Sequence, residues 1–134
     1  MRVMYDTNIL ISAVFSPSGN PAQSITKAEQ NGSELCICEE IKKEALEKFE
    51  EKWPGLSTDF DSFLEKAGFT ILTTPVAEDA SESSLRDIKD RPIYRAAKAA
   101  KVDYFITGDK DFLEFDQQEI KIITATEYLG IVAT

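Results

Sequence analysis

The sequence of 134 residues contains no histidine, and this absence limits the chemistry available to it. Without histidine, any catalysis must use carboxylates, hydroxyls, lysines or a hard metal ion held by oxygen ligands. Cysteine is scarce as well, because Cys36 and Cys38 are the only two in the chain. Their spacing in an apolar run predicts buried free thiols on one face of a strand. Two thiols without a histidine also argue against a zinc site.

Long apolar runs are missing too. No run approaches the roughly 18 residues that a membrane-spanning helix needs. The first residues lack the basic segment, the longer apolar run and the cleavage site of a secretory signal. We therefore expect no membrane segment and a cytoplasmic location. The length suits one domain over residues 1–134, and no linker divides the sequence.

Positive charge is in short supply, since the net charge is −9. This balance argues against nonspecific binding to duplex DNA, which needs a basic surface. Residues 86–101 carry a local excess of positive charge. Six cations and two acids give this segment a net charge of +4. The cations are Arg86, Lys89, Arg91, Arg95, Lys98 and Lys101. Such a run is usually a solvated helix face, and a surface that holds phosphates is the alternative.

Short apolar runs alternate with stretches of helical periodicity, which is the pattern of a parallel α/β sheet. The predicted strands are 3–5, 35–38, 69–74, 104–107 and 120–124. The predicted helices are 9–15, one that starts at Pro21, 39–52, 58–67, 92–101, a short one near 111–115 and one that ends near 129. Asn20 and Ser57 are predicted helix caps, and residues 75–84 form a polar loop.

Two of the predicted strands end beside a hydroxyl and a carboxylate. Asp6 follows the first strand directly, whereas Thr107 ends the fourth strand and Asp109 stands two residues after it. Helix capping would explain either acid alone. In an open parallel sheet, however, ligands bind outside the carboxyl ends of the strands. Two acids at such ends therefore predict one shared site.

These strand ends, together with Glu44 and the segment Asp87-x-x-Asp90, carry a resemblance to a known family. Over nearly its whole length the chain resembles PIN-domain ribonucleases, of the kind found as toxins of prokaryotic toxin–antitoxin pairs. The resemblance implies a three-layer α/β/α fold with a five-stranded parallel sheet in the order 3-2-1-4-5. It also implies that four acids converge at the carboxyl edge of this sheet, which are Asp6, Glu44, Asp90 and Asp109. Two positions depart from the family: Cys38 stands where serine or threonine is common, and Asp111 is an additional acid.

Four crowded carboxylates repel one another, so they predict a site for Mg²⁺ or Mn²⁺. Such an ion makes water more acidic and stabilises charge on a phosphoryl oxygen, which favours phosphodiester hydrolysis without histidine. The resemblance makes single-stranded or structured RNA the expected substrate. We expect Asp6, Asp90 and Asp109 to bind the metal and Glu44 to orient the attacking water.

Further residues are predicted to support this site. Asn8, Thr107 and Asp87 are expected to orient the metal ligands or the substrate. The basic side chains Arg91, Arg95 and Lys98 follow Asp90 along one helix and are expected to hold RNA phosphates. Apolar surface around Trp53, Phe60 and Phe63 predicts a homodimer. A cognate antitoxin is implied by the resemblance alone.

Two other functions fit parts of the sequence. A catalytically degenerate PIN-like module could persist for binding, because sites decay while folds remain. A metal-dependent phosphatase or a phosphotransfer receiver also mounts acids at the ends of parallel strands. The phosphatase would need a second aspartate where Asn8 stands, and the receiver would need one after the strand at 69–74. Neither requirement is met.

Overall fold

The computed structural model describes residues 1–133 and contains one five-stranded parallel sheet flanked by helices. The strands are β1 (Arg2–Tyr5), β2 (Glu34–Cys38), β3 (Thr70–Leu72), β4 (Tyr104–Ile106) and β5 (Lys121–Ile123). They lie in the order β3-β2-β1-β4-β5, and every neighbouring pair is parallel. This arrangement confirms the predicted fold and strand order.

Helices connect the strands in the alternating order that the sequence predicts. They are α1 (Thr7–Phe15), α2 (Asn20–Gln30), α3 (Glu39–Lys52), α4 (Ser57–Ala67), α5 (Asp90–Ala99), α6 (Lys110–Leu113) and α7 (Ala125–Val132). Two 3-10 turns, at Pro54–Leu56 and Ala80–Ser84, join the remaining segments. Within residues 1–133, no helix is long and apolar enough to cross a membrane.

The central strands are apolar along their length because helices cover the sheet. Val3, Met4 and Tyr5 of β1 are fully buried, as are Phe105 and Ile106 of β4. Continuous apolar runs are typical of parallel strands covered on both faces. The register pairs Tyr5 with Ile106, so β1 and β4 end side by side. The residues that follow these two strands are therefore neighbours at the carboxyl edge.

Both predicted caps are wrong. Helix α2 begins at Asn20, and Gly19 holds the cap position without a side-chain hydrogen bond. The Asn20 amide instead donates to the Thr126 hydroxyl at 2.9 Å, so it links α2 to α7. Helix α4 begins at Ser57, because the 3-10 turn before it moves the cap position to Leu56. In each case a tertiary or local contact competes with the capping preference.

The structure confirms the predicted state of the cysteines and shortens the predicted third strand. Cys36 and Cys38 are buried free thiols, as predicted, and burial raises the pKa of each to about 12. The strand predicted at 69–74 is shorter in the structure and spans Thr70–Leu72. Its predicted last residue, Thr74, instead donates its hydroxyl to the Glu40 carboxylate.

The aromatic region expected at a dimer interface is only partly at the surface. Phe60 is fully buried and stacks on Phe49 with ring centroids 4.9 Å apart, so its expected place in an exposed patch is wrong. Phe15 and Trp53 are the exposed members, at 46% and 36%, and their rings lie 4.6 Å apart. The apolar patch of this region is therefore centred on Phe15 and Trp53.

Candidate active site

Asp6 lies at the carboxyl end of β1 and is almost completely buried. Its carboxylate caps α1, because Oδ1 accepts a hydrogen bond from the backbone N–H of Thr7 at 2.8 Å. Its other oxygen, Oδ2, accepts from the Thr107 hydroxyl at 2.6 Å. The Asp6 backbone N–H continues the sheet by donating to the carbonyl of Ile106. Asp6 therefore both begins a helix and occupies the edge where β1 meets β4.

Thr107 joins the acids of the two strand ends. Its hydroxyl donates to Asp6 and accepts from the backbone N–H of Asp109 at 3.0 Å. Thr107 is fully buried, and its own N–H donates to the carbonyl of Ile123 in β5. Asp109 in turn begins α6, where Oδ1 accepts from the N–H of Asp111. One hydroxyl thus fixes the separation of Asp6 and Asp109.

Asp90 enters the same cluster from the start of α5. It is 8% exposed, and its Oδ2 is buried without a hydrogen-bond partner within residues 1–133. A buried carboxylate oxygen without a donor costs free energy, which marks a position that a cation or a proton would stabilise. Asp87 is exposed in the turn before α5 and binds the N–H of Lys89 at 2.9 Å. Its negative charge acts on Asp90 from that turn.

Asp111 is an acid whose role is not predicted by the sequence pattern. One carboxylate oxygen each from Asp90, Asp109 and Asp111 lies within 4.8 Å of the other two. This separation suits oxygen ligands that share one hard cation. The arrangement of Asp109 and Asp111 across the first turn of α6 brings them together, and this helix is too short for periodicity to reveal it.

Glu44 lies at the border of the cluster rather than within it. It is half-buried on α3, and its carboxylate pairs with Lys48 one turn later at 3.3 Å. Its charge is close enough to Asp6 to raise the pKa of that residue. Glu44 also lines a groove of about 520 Å³ between α3 and the start of α5, where Lys89 and Ile93 form part of the opposite wall. The carboxyl edge of the sheet therefore adjoins an open groove on this side.

The two buried acids of the cluster, Asp6 and Asp90, hold protons unusually strongly. Burial, followed in size by repulsion from Asp109 and other nearby acids, raises the pKa of Asp90 to about 7. Burial also raises the pKa of Asp6 to about 6, although hydrogen bonds from Thr107 and Thr7 oppose the change. Repulsion from Glu44 and Asp109 adds to the effect on Asp6. Acids in this state gain from a nearby cation, which would favour their ionised form.

The helix cations expected near the site are engaged elsewhere in the chain. Arg95 forms a two-point ion pair with buried Glu82 at 2.6 and 3.0 Å, and Lys98 pairs with Asp79 at 2.8 Å. Arg91 donates to the carbonyls of Ser83 and Leu85.

All three side chains thus hold residues 79–85 against α5. The sequence did not reveal Glu82, because it lies in a polar loop without periodicity. Contact of these three side chains with RNA stays a prediction. Their existing hydrogen bonds and ion pairs within the chain do not favour it.

The remaining predicted residue, Asn8, is exposed in the first turn of α1. It follows Thr7, whose buried hydroxyl has no hydrogen-bond partner within residues 1–133. Asn8 can therefore meet a ligand from solvent, and its predicted orienting role is untested.

A five-stranded parallel sheet in the order β3-β2-β1-β4-β5 with helices on its faces has the fold of a PIN domain. The sequence profile described as the PIN domain matches residues 2–111, and the chain belongs to this family. No curated protein has a sequence that matches the chain.

Among solved structures, the chain is similar to one in the crystal structure of VapBC2 from Rickettsia felis bound to a DNA fragment from their promoter. The two chains are 16% identical, the TM-score is 0.71, and the alignment covers 91% of this chain and 97% of that chain. This likeness shows that the fold is shared over nearly the full length of both chains.

Proposed function

We propose that this protein is a metal-dependent ribonuclease that hydrolyses RNA phosphodiester bonds at the acidic cluster. The observation that carries the proposal is the group of Asp90, Asp109 and Asp111, whose carboxylate oxygens lie within 4.8 Å of one another. Membership of the PIN domain family supports nuclease activity in this fold.

The residues present fit a divalent metal ion. The donor set is made of carboxylate oxygens, which Mg²⁺ and Mn²⁺ prefer, and Asp90 Oδ2 is buried without a donor. Asp6, Asp90 and Asp109 would hold the ion, and Asp111 extends this predicted set. When bound, the ion would lower the pKa of water and stabilise charge on a phosphoryl oxygen.

The chain's own residues would prepare the site for this chemistry. Thr107 fixes one Asp6 oxygen and the Asp109 backbone, so the two acids need little reorganisation to bind a ligand. Asp90, with a pKa of about 7, would lose its proton as a cation binds. Glu44 borders the open groove and would orient the water that attacks the phosphodiester. Asn8 would orient the substrate from the exposed side of α1.

The proposed substrate is RNA, and two protein partners are proposed with it. The net charge of −9 makes a broad contact with duplex DNA unfavourable, which supports a short single-stranded or structured RNA segment. The structural neighbour comes from a VapBC2 complex, which supports a cognate antitoxin as a partner. Exposed Phe15 and Trp53 support a homodimer.

The decisive experiment compares the purified wild-type protein with the Asp6→Asn variant on single-stranded RNA in Mn²⁺. The substitution keeps the size of the side chain and removes its charge, so we expect a loss of at least ~10²-fold in cleavage rate. Cleavage by the wild type should also stop in EDTA.

Asp59→Asn is the matched control, because Asp59 is exposed on α4 away from the cluster, and its activity should equal that of the wild type. Cleavage that survives EDTA, or an Asp6→Asn variant as fast as the wild type, would refute the proposal. A catalytically degenerate binding module would then be the better description.

A further inference from the structure

Arg86 is a cation that contacts the rim of the acidic cluster. Its Nη2 lies 3.2 Å from Asp111 Oδ1 and 2.8 Å from Glu114 Oε2. The side chain of Arg86 is 70% exposed, so the guanidinium remains open to solvent while it makes both contacts. Because Asp111 shares the cluster with Asp90 and Asp109, Arg86 neutralises part of the charge that a metal ion would meet.

The backbone next to Arg86 is held in place. The preceding residue, Leu85, is almost fully buried, and its carbonyl accepts two hydrogen bonds from Arg91 at 3.0 and 3.2 Å. The segment before Leu85, residues 80–84, is tied to α5 by the ion pair between buried Glu82 and Arg95. A fixed backbone with an exposed guanidinium suits a group that exchanges one anionic partner for another.

We propose that Arg86 is an RNA-binding residue of this site that exchanges partners when the metal ion binds. Without a cation in the cluster, the guanidinium rests on Asp111 and Glu114. When a divalent cation takes over the charge of Asp111, Arg86 turns to a phosphate of the RNA beside the cluster. This inference rests on the proposed function and assigns substrate binding there to a residue other than Arg91, Arg95 and Lys98.

The exchange follows from charge and geometry. A guanidinium binds carboxylates and phosphates through the same planar set of N–H donors, so it can transfer between them without a change of chemistry. Its ion pairs with Asp111 and Glu114 are exposed, and exposed pairs are weak enough to be replaced. The cation and Arg86 compete for Asp111, whereas Arg86 and the cation both attract the phosphate.

The competition predicts opposite changes in two affinities for Arg86→Gln. Mn²⁺ should bind the RNA-free protein roughly twofold to fivefold more tightly, because an exposed ion pair no longer opposes it. RNA should bind more weakly, and the slope of log affinity against log salt should fall by about 0.7, the value for one phosphate contact of a single strand. If the role of Arg86 were purely structural, Arg86→Gln would weaken the binding of Mn²⁺ and of RNA together.

Titration calorimetry would measure Mn²⁺ binding to the RNA-free protein. Fluorescence anisotropy with single-stranded RNA would measure RNA binding in saturating Mn²⁺, with every protein carrying Asp6→Asn to suppress cleavage. Arg86→Lys should keep the wild-type salt slope because it keeps the charge. Arg2→Gln is the matched control, since Arg2 pairs with Glu34 at 2.7 Å at the opposite edge of the sheet, and it should change neither affinity.

The results separate this inference from the proposed function. If the protein with Arg86 intact binds Mn²⁺, and its Asp6→Asn form binds RNA, but Arg86→Gln shifts neither affinity, shifts only one, or weakens both, the role of Arg86 is refuted and the nuclease proposal stands. If the wild-type protein binds no Mn²⁺ and the Asp6→Asn protein with Arg86 intact binds no RNA, the proposed function fails, and the role of Arg86 fails with it.

Discussion

Asp90→Asn should make the metal-free protein more stable at neutral and alkaline pH. The folded protein raises the pKa of Asp90 from 3.8 to about 7, so the proton on this carboxyl stabilises the folded state. The contribution is fully present below about pH 4, and it is lost as the pH rises through about 7. Asparagine keeps the size of the side chain, carries no charge, and can donate its amide to a neighbouring carboxylate.

The size of the effect follows from the same pKa. Between pH 5 and about pH 7 the folded state keeps a proton that the unfolded chain has lost, which costs about 1.4 kcal/mol of stability per pH unit. The advantage of Asp90→Asn over the wild type should therefore grow by about 2 to 3 kcal/mol between pH 5 and pH 8. The difference between the two proteins is the useful quantity, because it removes titrations that both share.

Urea denaturation in EDTA at pH 5 and pH 8 would measure this difference, and Asp59→Asn would serve as the exposed control. An advantage that stays constant or shrinks as the pH rises would refute the argument that Asp90 is an acid held in an unfavourable ionised state. Mn²⁺ should reverse the order, since a ligand at 100 times its Kd adds about 2.7 kcal/mol to the stability of a protein that binds it. The variant lacks one ligand and should gain less.

Two further predictions concern the loop and the aromatic patch. Glu82→Ala would leave Arg95, whose side chain is 13% exposed, without its carboxylate, so it should lower the free energy of unfolding by about 3 kcal/mol. Asp79→Ala breaks a more exposed pair and should lower it much less. Equal urea midpoints for the two variants would contradict this difference in burial. The wild type should scatter light as a dimer, and Trp53→Ser combined with Phe15→Ser should shift it to monomer. A wild-type monomer at high micromolar concentration would contradict the predicted homodimer.

The sequence predicts the sheet and the proximity of Asp6 to Thr107 well, because both follow from the pattern of the strands. Helix 39–52 is predicted with the bounds of α3, since its periodicity is long and Trp53-Pro54-Gly55 ends it. The neighbourhood of Asp6 and Thr107 follows from a general rule, because the carboxyl ends of parallel strands meet at one edge.

The contacts that escape prediction join residues without a shared period. Arg95 and Glu82 lie 13 positions apart in helix and loop, and a charge pattern cannot tell a solvated cation from one that is folded onto an acid. Asn20 fails as a cap because Thr126, more than one hundred residues away, offers its amide a partner. Such pairs depend on how the elements pack, which propensity and periodicity do not encode.

The cations near the acidic cluster are paired mainly with other acids, so they leave much of the negative charge of the cluster unbalanced. Arg95 and Lys98 are committed to Glu82 and Asp79, and Arg86 reaches only as far as the rim at Asp111 and Glu114 in the contacts of residues 1–133. Asp6 and Asp90 therefore keep raised pKa values, because burial and repulsion from nearby acids raise both. Hydrogen bonds from Thr107 and Thr7 oppose this change only in part at Asp6.

A rigid group of acids that the protein itself does not neutralise lowers the stability of the fold. Functional sites commonly have this effect, and it is reversed when the ligand binds. The sheet can sustain it because the buried strands β1 and β4, together with α1 and α5, fix the acids from several directions. A divalent cation would supply the missing charge where Asp90, Asp109 and Asp111 already meet, so the stability gained on binding should appear together with proton release from Asp90.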